Sequence, residues 1–303
     1  FFYVLDRETG ELLSAEKYVP LNWASHVDPD TGRPVEYPGA RYLDQGRLIV
    51  PGPSGAHSWH PMAFSPATGL AYIPALSVPG YYHHVDQYRY RPGFQNTGIE
   101  EGVTDFGAPD PQGKRARIRF GVSLLAWNPR NQAEIWRVEH GELGGGVLAT
   151  AGGIVFQGLA SGEFAAYAAD SGEKLWSFAG GTSIMAGPVS YAVAGQQHVA
   201  VLAGRGGGSG LVGGPMARAW TDVVNENRVL TFKLDGDATL PAPRRRNHAV
   251  LSPAILGEFA RDQQASARGK ALYAQYCYMC HGIEAMGGGV IPDQPGSYLL
   301  ASR

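Results

Sequence analysis

Cys277-Tyr278-Met279-Cys280-His281 is a C-x-x-C-H arrangement, the spacing that attaches a c-type haem through two thioethers and ligates its iron through the histidine. Cys277 and Cys280 are the 2 cysteines of the chain, so neither a structural disulfide elsewhere nor a four-cysteine metal site competes for them. A redox dithiol is the alternative use of this spacing. His281 directly after Cys280, and the helix-like run 265–276 before Cys277, favour haem. Met279 and Met286 lie too close in sequence to His281 to reach the opposite haem face, so they are expected to pack against the haem edge.

Two further loops gather residues able to do chemistry. Gly52-Pro-Ser-Gly-Ala-His-Ser-Trp-His-Pro-Met62 places His57, Ser58, Trp59 and His60 among glycines, which suits a planar ligand needing an aromatic partner and a few polar contacts. The same loop could be a rigid connection whose histidines bond to local backbone. The spacing of His57 and His60 also suits a metal pair, but no third ligand converges on them in the sequence. Gly204-Arg-Gly-Gly-Gly-Ser-Gly-Leu-Val-Gly-Gly214 permits close backbone approach to a ligand or a tight turn. It lacks the strand-to-helix context of a dinucleotide loop and the lysine of a phosphate-binding loop.

The elements that must hold these loops read as short strands. With 42 Gly, 15 Tyr, 11 Phe and 6 Trp in 303 residues, the composition suits a turn-rich all-β protein. Leu124-Leu-Ala-Trp-Asn-Pro129 leads to Trp136, and Ala165-Ala-Tyr-Ala-Ala-Asp170 leads to Trp176, so a strand, a polar turn and a tryptophan recur after about 40 residues. The segments 3–13 and 62–73 carry related strand and turn patterns, and 153–158 and 197–202 read as further strands. A period near 40 with one aromatic per unit predicts propeller blades, the tryptophan plugging the space between neighbours. A β-sandwich is the alternative.

Net charge of -2 gives no footprint for nucleic acid, and no apolar run is long enough for a transmembrane segment. The boundaries expected are a propeller portion over 1–240, a linker over 241–258 and the start of a helical haem domain over 259–303. Arg244-Arg245-Arg246 reads as a solvated part of that linker, and 81–92 as a tyrosine-rich inserted surface loop. Phe1-Phe-Tyr-Val-Leu-Asp6 reads as the middle of a strand with no signal peptide, so the chain is expected to be a fragment. Asp6, Asp86 and Asp105 read as turn or surface carboxylates.

Phe1-Phe-Tyr-Val-Leu-Asp-Arg-Glu-Thr-Gly10, Leu21-Asn-Trp-Ala24, Thr31-Gly-Arg-Pro-Val35, Gly55-Ala-His-Ser-Trp-His-Pro-Met62, Trp136-Arg-Val-Glu139 and Gly153-Ile-Val-Phe-Gln-Gly158 together resemble the second half of a pyrroloquinoline quinone-dependent alcohol dehydrogenase. The haem motif narrows the resemblance to the quinohaemoprotein branch. It implies a partial eight-bladed β-propeller followed by a truncated α-helical cytochrome c domain.

It also implies pyrroloquinoline quinone, haem c and Ca2+ as cofactors. Ser58, Trp59, Arg205 and Gly206 would lie at the quinone, Cys277 and Cys280 would anchor the haem, and His281 would ligate its iron. The family has Asn where this chain has Ser58, and often Trp where it has Arg205. The catalytic aspartate and the calcium ligands are expected upstream of Phe1. The implied activity is periplasmic oxidation of alcohols, with electrons passed to the haem and then to a soluble cytochrome, a copper protein or a membrane respiratory acceptor. A sugar or polyol dehydrogenase is the nearer rival. A non-catalytic propeller for binding or outer-membrane assembly, with an electron-transfer tail, is the more distant one.

Overall fold

The computed structural model describes residues 1–90, 96–99, 108–115, 121–204 and 226–244, with positions 264, 265, 268, 269, 272, 273 and 277. Its regular structure is mainly antiparallel sheet, with a 3-10 turn over Pro38–Arg41 among the sheets, and the strands follow the short apolar runs of the sequence. They are β1 (Phe2–Leu5), β2 (Leu12–Glu16), β3 (Ala24–Val27), β4 (Pro34–Glu36), β5 (Arg47–Ile49), β6 (Ala63–Ser65), β7 (Leu70–Ser77) and β8 (Gly80–Tyr82). There follow β9 (Gly121–Asn128), β10 (Ala133–His140), β11 (Gly144–Ala149), β12 (Ile154–Leu159), β13 (Glu163–Ala168), β14 (Lys174–Ala179), β15 (Val189–Val193), β16 (Gln196–Ala203) and β17 (Arg228–Lys233).

The strands form consecutive sheets. β10-β9-β7-β6 is one four-stranded sheet, β11-β12-β13-β14 the next, and β15-β16-β17 follows as three strands. Hairpins β1-β2 and β3-β4 precede them. The turns repeat one device, in which a glycine amide closes a bond to the carbonyl four residues back. Gly10 donates to Asp6, Gly32 to Asp28, Gly69 to Ser65 and Gly172 to Ala168, each at 2.8 or 2.9 Å. All four glycines have φ between 67° and 76°, a conformation that side chains disfavour. Asp6 shows the rest of the device: its carboxylate accepts the amides of Glu8 at 2.9 Å and Thr9 at 2.8 Å. Those bonds hold its carboxyl below the usual aspartate range. Asp6 is therefore a turn residue, as its sequence setting indicates.

Each core lies between successive sheets, which explains why the central strands are apolar without alternation. Leu124 and Ala126 of β9 face the β11-β12-β13 side with Tyr72, Val155 and Tyr167. Leu125 and Trp127, the intervening residues, face the other way onto Val19, Ile73 and Phe2. A strand covered on both faces must be apolar at both parities. A third core joins Phe164 and Ile184 to Val199, Val201 and Leu230 of the last sheet. Serial sheets sharing face-to-face cores make a propeller-like arrangement rather than the two layers of a sandwich.

Trp136 plugs the first of these interfaces. Its indole N–H donates to the Ala169 carbonyl of the next sheet at 3.0 Å, and its ring lies 5.7 Å from that of Tyr72. Trp176 packs across the following interface, 5.3 Å from the ring of Phe232.

Two segments hold contacts beyond their expected form. Tyr81 and Tyr82 belong to a strand, β8 pairing with β5 and matching Arg47 with Tyr82, and Tyr82 stacks on Tyr42 at 5.1 Å, whereas Tyr88 and Tyr90 are exposed outside any strand, as a surface loop would be. The pairing joins residues far apart in sequence, which local pattern does not reveal. Arg244 is solvated as expected, its side chain 71% exposed, and it also donates its Nε to Glu226 at 2.7 Å. Positions 264, 265, 268, 269, 272 and 273 have helical backbone, and the Cys277 amide donates to the Tyr273 carbonyl at 2.8 Å. The rest of the expected haem domain, and 245–258 of the linker, lie outside the described residues.

Candidate functional site

Close packing of glycines fixes the loop 52–62. Pro61 is wedged against two of them: a Cβ on Gly146 would sit 2.6 Å from the proline Cδ, and one on Gly187 2.6 Å from its Cγ. The Val147 amide donates to the Pro61 carbonyl at 2.9 Å, tying the loop to β11. β11 begins Gly144-Gly-Gly146 because any side chain there would collide with neighbouring backbone or with Gln157. His57 is anchored from the other side, its Nδ1 lying 3.1 Å from the Pro74 carbonyl of β7.

Between these anchors, Trp59 is presented rather than packed away, with His60 half-buried beside it. The Trp59 side chain is 61% exposed, and its ring lies 5.2 Å from that of His60 at an interplanar angle of 34°. Both line a groove of about 640 Å³ whose other walls include Met185, Gly187, Gly204 and Arg228. His60 keeps its Nε2 buried without a hydrogen-bond partner among the described residues. Burial, with a smaller effect from the neighbouring His57, pushes its pKa below the usual histidine value, so the ring is neutral at pH 7. A buried imidazole nitrogen left unpaired costs about 1–3 kcal/mol, which marks it as a place for a ligand atom.

The opposite wall belongs to the last sheet. Gly204 directly follows β16, donates its amide to the Ser183 carbonyl at 2.7 Å and forms a parallel bridge with Ile184. Its lack of a side chain admits the Asn227 amide group beside it. Arg228, the first residue of β17, pairs with Glu226. The groove thus joins an exposed indole face, a neutral imidazole and a guanidinium, a set suited to a planar aromatic ligand bearing acceptors or negative charge.

Of the residues expected at a site, Trp59 lines this groove and Ser58 adjoins it in sequence. Arg205 and Gly206 follow Gly204 directly but lie outside the described residues, as do Cys280, His281 and Asp105. Cys277 is described as a half-buried free thiol. Asp86 is exposed. Among the described residues no group of three or more His, Cys, Asp or Glu could hold a metal ion, so the His57 and His60 pairing gains no third ligand. No helix among them is long and apolar enough to cross a membrane. Arg228 and Met185 were not marked by the sequence; the polar run Asn225-Glu-Asn-Arg228 opening an apolar strand was the available signal for the first.

Comparison with known proteins bears on this site. Residues 122–239 match a family model described as outer membrane protein assembly factor BamB. Quinohemoprotein alcohol dehydrogenase ADH IIB of Pseudomonas putida is 43% identical over 298 residues, covering 97% of this chain and 41% of that protein. The dehydrogenase subunit of alcohol dehydrogenase (quinone) from Gluconacetobacter polyoxogenes is 42% identical over 299 residues, 97% of this chain and 40% of its own length. The solved structure of quinohemoprotein alcohol dehydrogenase ADHIIG from Pseudomonas putida HK5 superimposes with a TM-score of 0.82 at 40% identity, covering 97% of this chain and 43% of that one. The chain therefore spans about two fifths of the length of these relatives.

Proposed function

The chain belongs to the pyrroloquinoline quinone-dependent alcohol dehydrogenases of the quinohaemoprotein type, and from that membership we propose that its groove forms part of the quinone site of an alcohol-oxidising enzyme. The observation that carries the proposal is convergence. Trp59 and Gly204, from the two loops whose residues are suited to a ligand, line one groove although 145 residues separate them.

The residues present fit the quinone. Trp59 offers an exposed ring face for stacking, and neutral His60 lines the same wall. Arg228 sets positive charge at the rim, suited to the acidic groups of such a ligand. Ser58 can donate its hydroxyl to a carbonyl oxygen, with a shorter reach than the asparagine of the family pattern. Arg205 and Gly206 are assigned to the same site by their position after Gly204. When bound, the quinone supplies the two-electron acceptor for the alcohol. The chain's own part is to orient it between fixed walls and to exclude water; proton abstraction and calcium binding are assigned to no residue of this chain.

Cys277 and Cys280 supply thiols for covalent haem attachment and His281 the iron ligand, so electrons leaving the groove have a haem c as their next station. Covalent haem attachment points to the periplasm, and a soluble cytochrome, a copper protein or a membrane respiratory acceptor would follow. The whole propeller is proposed to have eight blades, with 1–240 contributing to it, 241–258 as linker and 259–303 in the cytochrome domain. A binding propeller without catalysis draws support from the match over 122–239, but that reading leaves the haem motif and the presented Trp59 without a use.

The test is stopped-flow absorbance at the haem bands of the protein as expressed from its gene, reconstituted with pyrroloquinoline quinone and calcium. Haem reduction on adding a short alcohol, absent when the quinone is omitted, is expected. Reduction by sugars or polyols in place of alcohols would redirect the substrate assignment. A haem that no such substrate reduces would contradict the proposal.

A further inference from the structure

Downstream of β17 the chain turns back across the last interface before running on toward the haem motif, and three contacts hold it there. Leu240 packs on the core formed by Phe164, Phe178 and Phe232. Pro243 lies over Gly181, its Cγ 3.5 Å from the position a Cβ would take, with the Arg228 guanidinium beside it at 3.6 Å. Arg244 then donates its Nε to Glu226 Oε1 at 2.7 Å. The other carboxylate oxygen of Glu226 pairs with Arg228, which lines the groove. One carboxylate thus connects the groove wall to the departing chain.

We propose that Glu226 is a positioning residue, which clamps the departing segment to the groove wall through Arg228 and Arg244 and so fixes the point from which the haem-bearing part of the chain extends. The proposal rests on the functional reading above for its purpose, but not for its geometry. The residues between Arg244 and Cys277 could span at most about 110 Å if extended, so the tether sets the point from which that reach is measured. A carboxylate shared by two guanidiniums suits that task better than a single pair, because one of them, Arg228, starts β17 in the groove wall and so ties Glu226 to it. Both arginines also hold the Glu226 carboxyl below the usual glutamate range, Arg244 having the larger effect, so the clamp stays charged at neutral pH.

The test compares wild type with Glu226→Ala in the protein as expressed from its gene, using limited trypsin digestion and mass spectrometry to time cleavage after Arg244, Arg245 and Arg246. An exposed ion pair shifts a local opening equilibrium by about two- to fivefold, so cleavage in the variant is expected to quicken by that factor with its melting temperature unchanged. High salt should quicken cleavage in the wild type and have little effect on the variant. Arg244→Lys, which keeps the charge, should fall between the two. Equal rates in wild type and Glu226→Ala, or equal acceleration of both by salt, would overturn the clamp.

Alcohol-driven haem reduction provides the second readout, measured beside reduction of a small dye that takes electrons at the groove. Slower haem reduction with unchanged dye reduction is expected in Glu226→Ala. Faster cleavage with unchanged haem reduction would overturn the positioning role. If alcohol reduces neither haem nor dye in the wild type, the quinone reading fails, and the cleavage rates still decide the clamp.

Discussion

Trp136 and Trp176 occupy equivalent places in successive repeats, yet the first is 8% exposed and the second 41%. Trp136 is enclosed because the next sheet meets it with the Ala169 carbonyl and the Gly172 turn, while the Tyr72 ring of its own sheet covers it from the side. Trp176 leans on Phe164, Phe178 and Phe232, which cover its ring but leave its outer part open. The same sequence signal therefore yields a structural plug in one interface and a half-covered aromatic cluster in the other. What differs is the neighbour, not the tryptophan.

The largest expected effect is at the enclosed interface. Trp136→Ala should cost about 3–5 kcal/mol in chemical denaturation, since it empties a buried site that the rigid sheets cannot refill. A loss no greater than that of Trp176→Ala would erase the distinction. Gly172→Ala should cost about 2 kcal/mol, because φ of 75° disfavours a side chain and the added Cβ would lie 2.7 Å from the Trp136 ring. Trp176→Ala should cost about 1–2 kcal/mol, in keeping with partial burial. Tyr72→Phe removes a hydroxyl that donates to Ala169 at 2.9 Å and should cost about 1 kcal/mol.

The smallest effect concerns pH. His140 sits at the edge of the enclosed interface, its Nε2 3.1 Å from Gln157 Oε1, and burial chiefly lowers its pKa from the ordinary 6.5. A histidine that resists protonation when folded makes the unfolded state bind more protons below that value, so stability falls as pH drops through about 6.5 toward the folded pKa. Thermal melts between neutral and mildly acidic pH should show that slope, reduced in His140→Asn.

Residues that act through neighbours in sequence were readable before the fold was known. The turn around Asp6, Thr9 and Gly10 follows from local pattern, because a hairpin places its own partners. The propeller-like succession of sheets was legible for the same reason, through repetition. The groove was legible only in part: Trp59 and Gly204 stood out by their settings, but their meeting depends on Pro61 fitting between Gly146 and Gly187, three segments far apart in the chain. Met185 has no special local setting and becomes visible only when the walls are assembled; for Arg228 the sole signal was the polar run that opens an apolar strand. The pairing of β5 with β8, which turned the start of an expected loop into a strand, and the tie between Arg244 and Glu226 were hidden in the same way.

The central claim is that the groove at Trp59 holds the quinone. Equilibrium titration of the quinone-free protein with pyrroloquinoline quinone, in the presence of calcium, compares wild type with Trp59→Ala directly. Loss of a stacking face is expected to weaken binding by about tenfold while leaving the melting temperature of the unliganded protein unchanged, since the ring is mostly exposed. Equal affinity in the two proteins would place the quinone elsewhere and contradict the account.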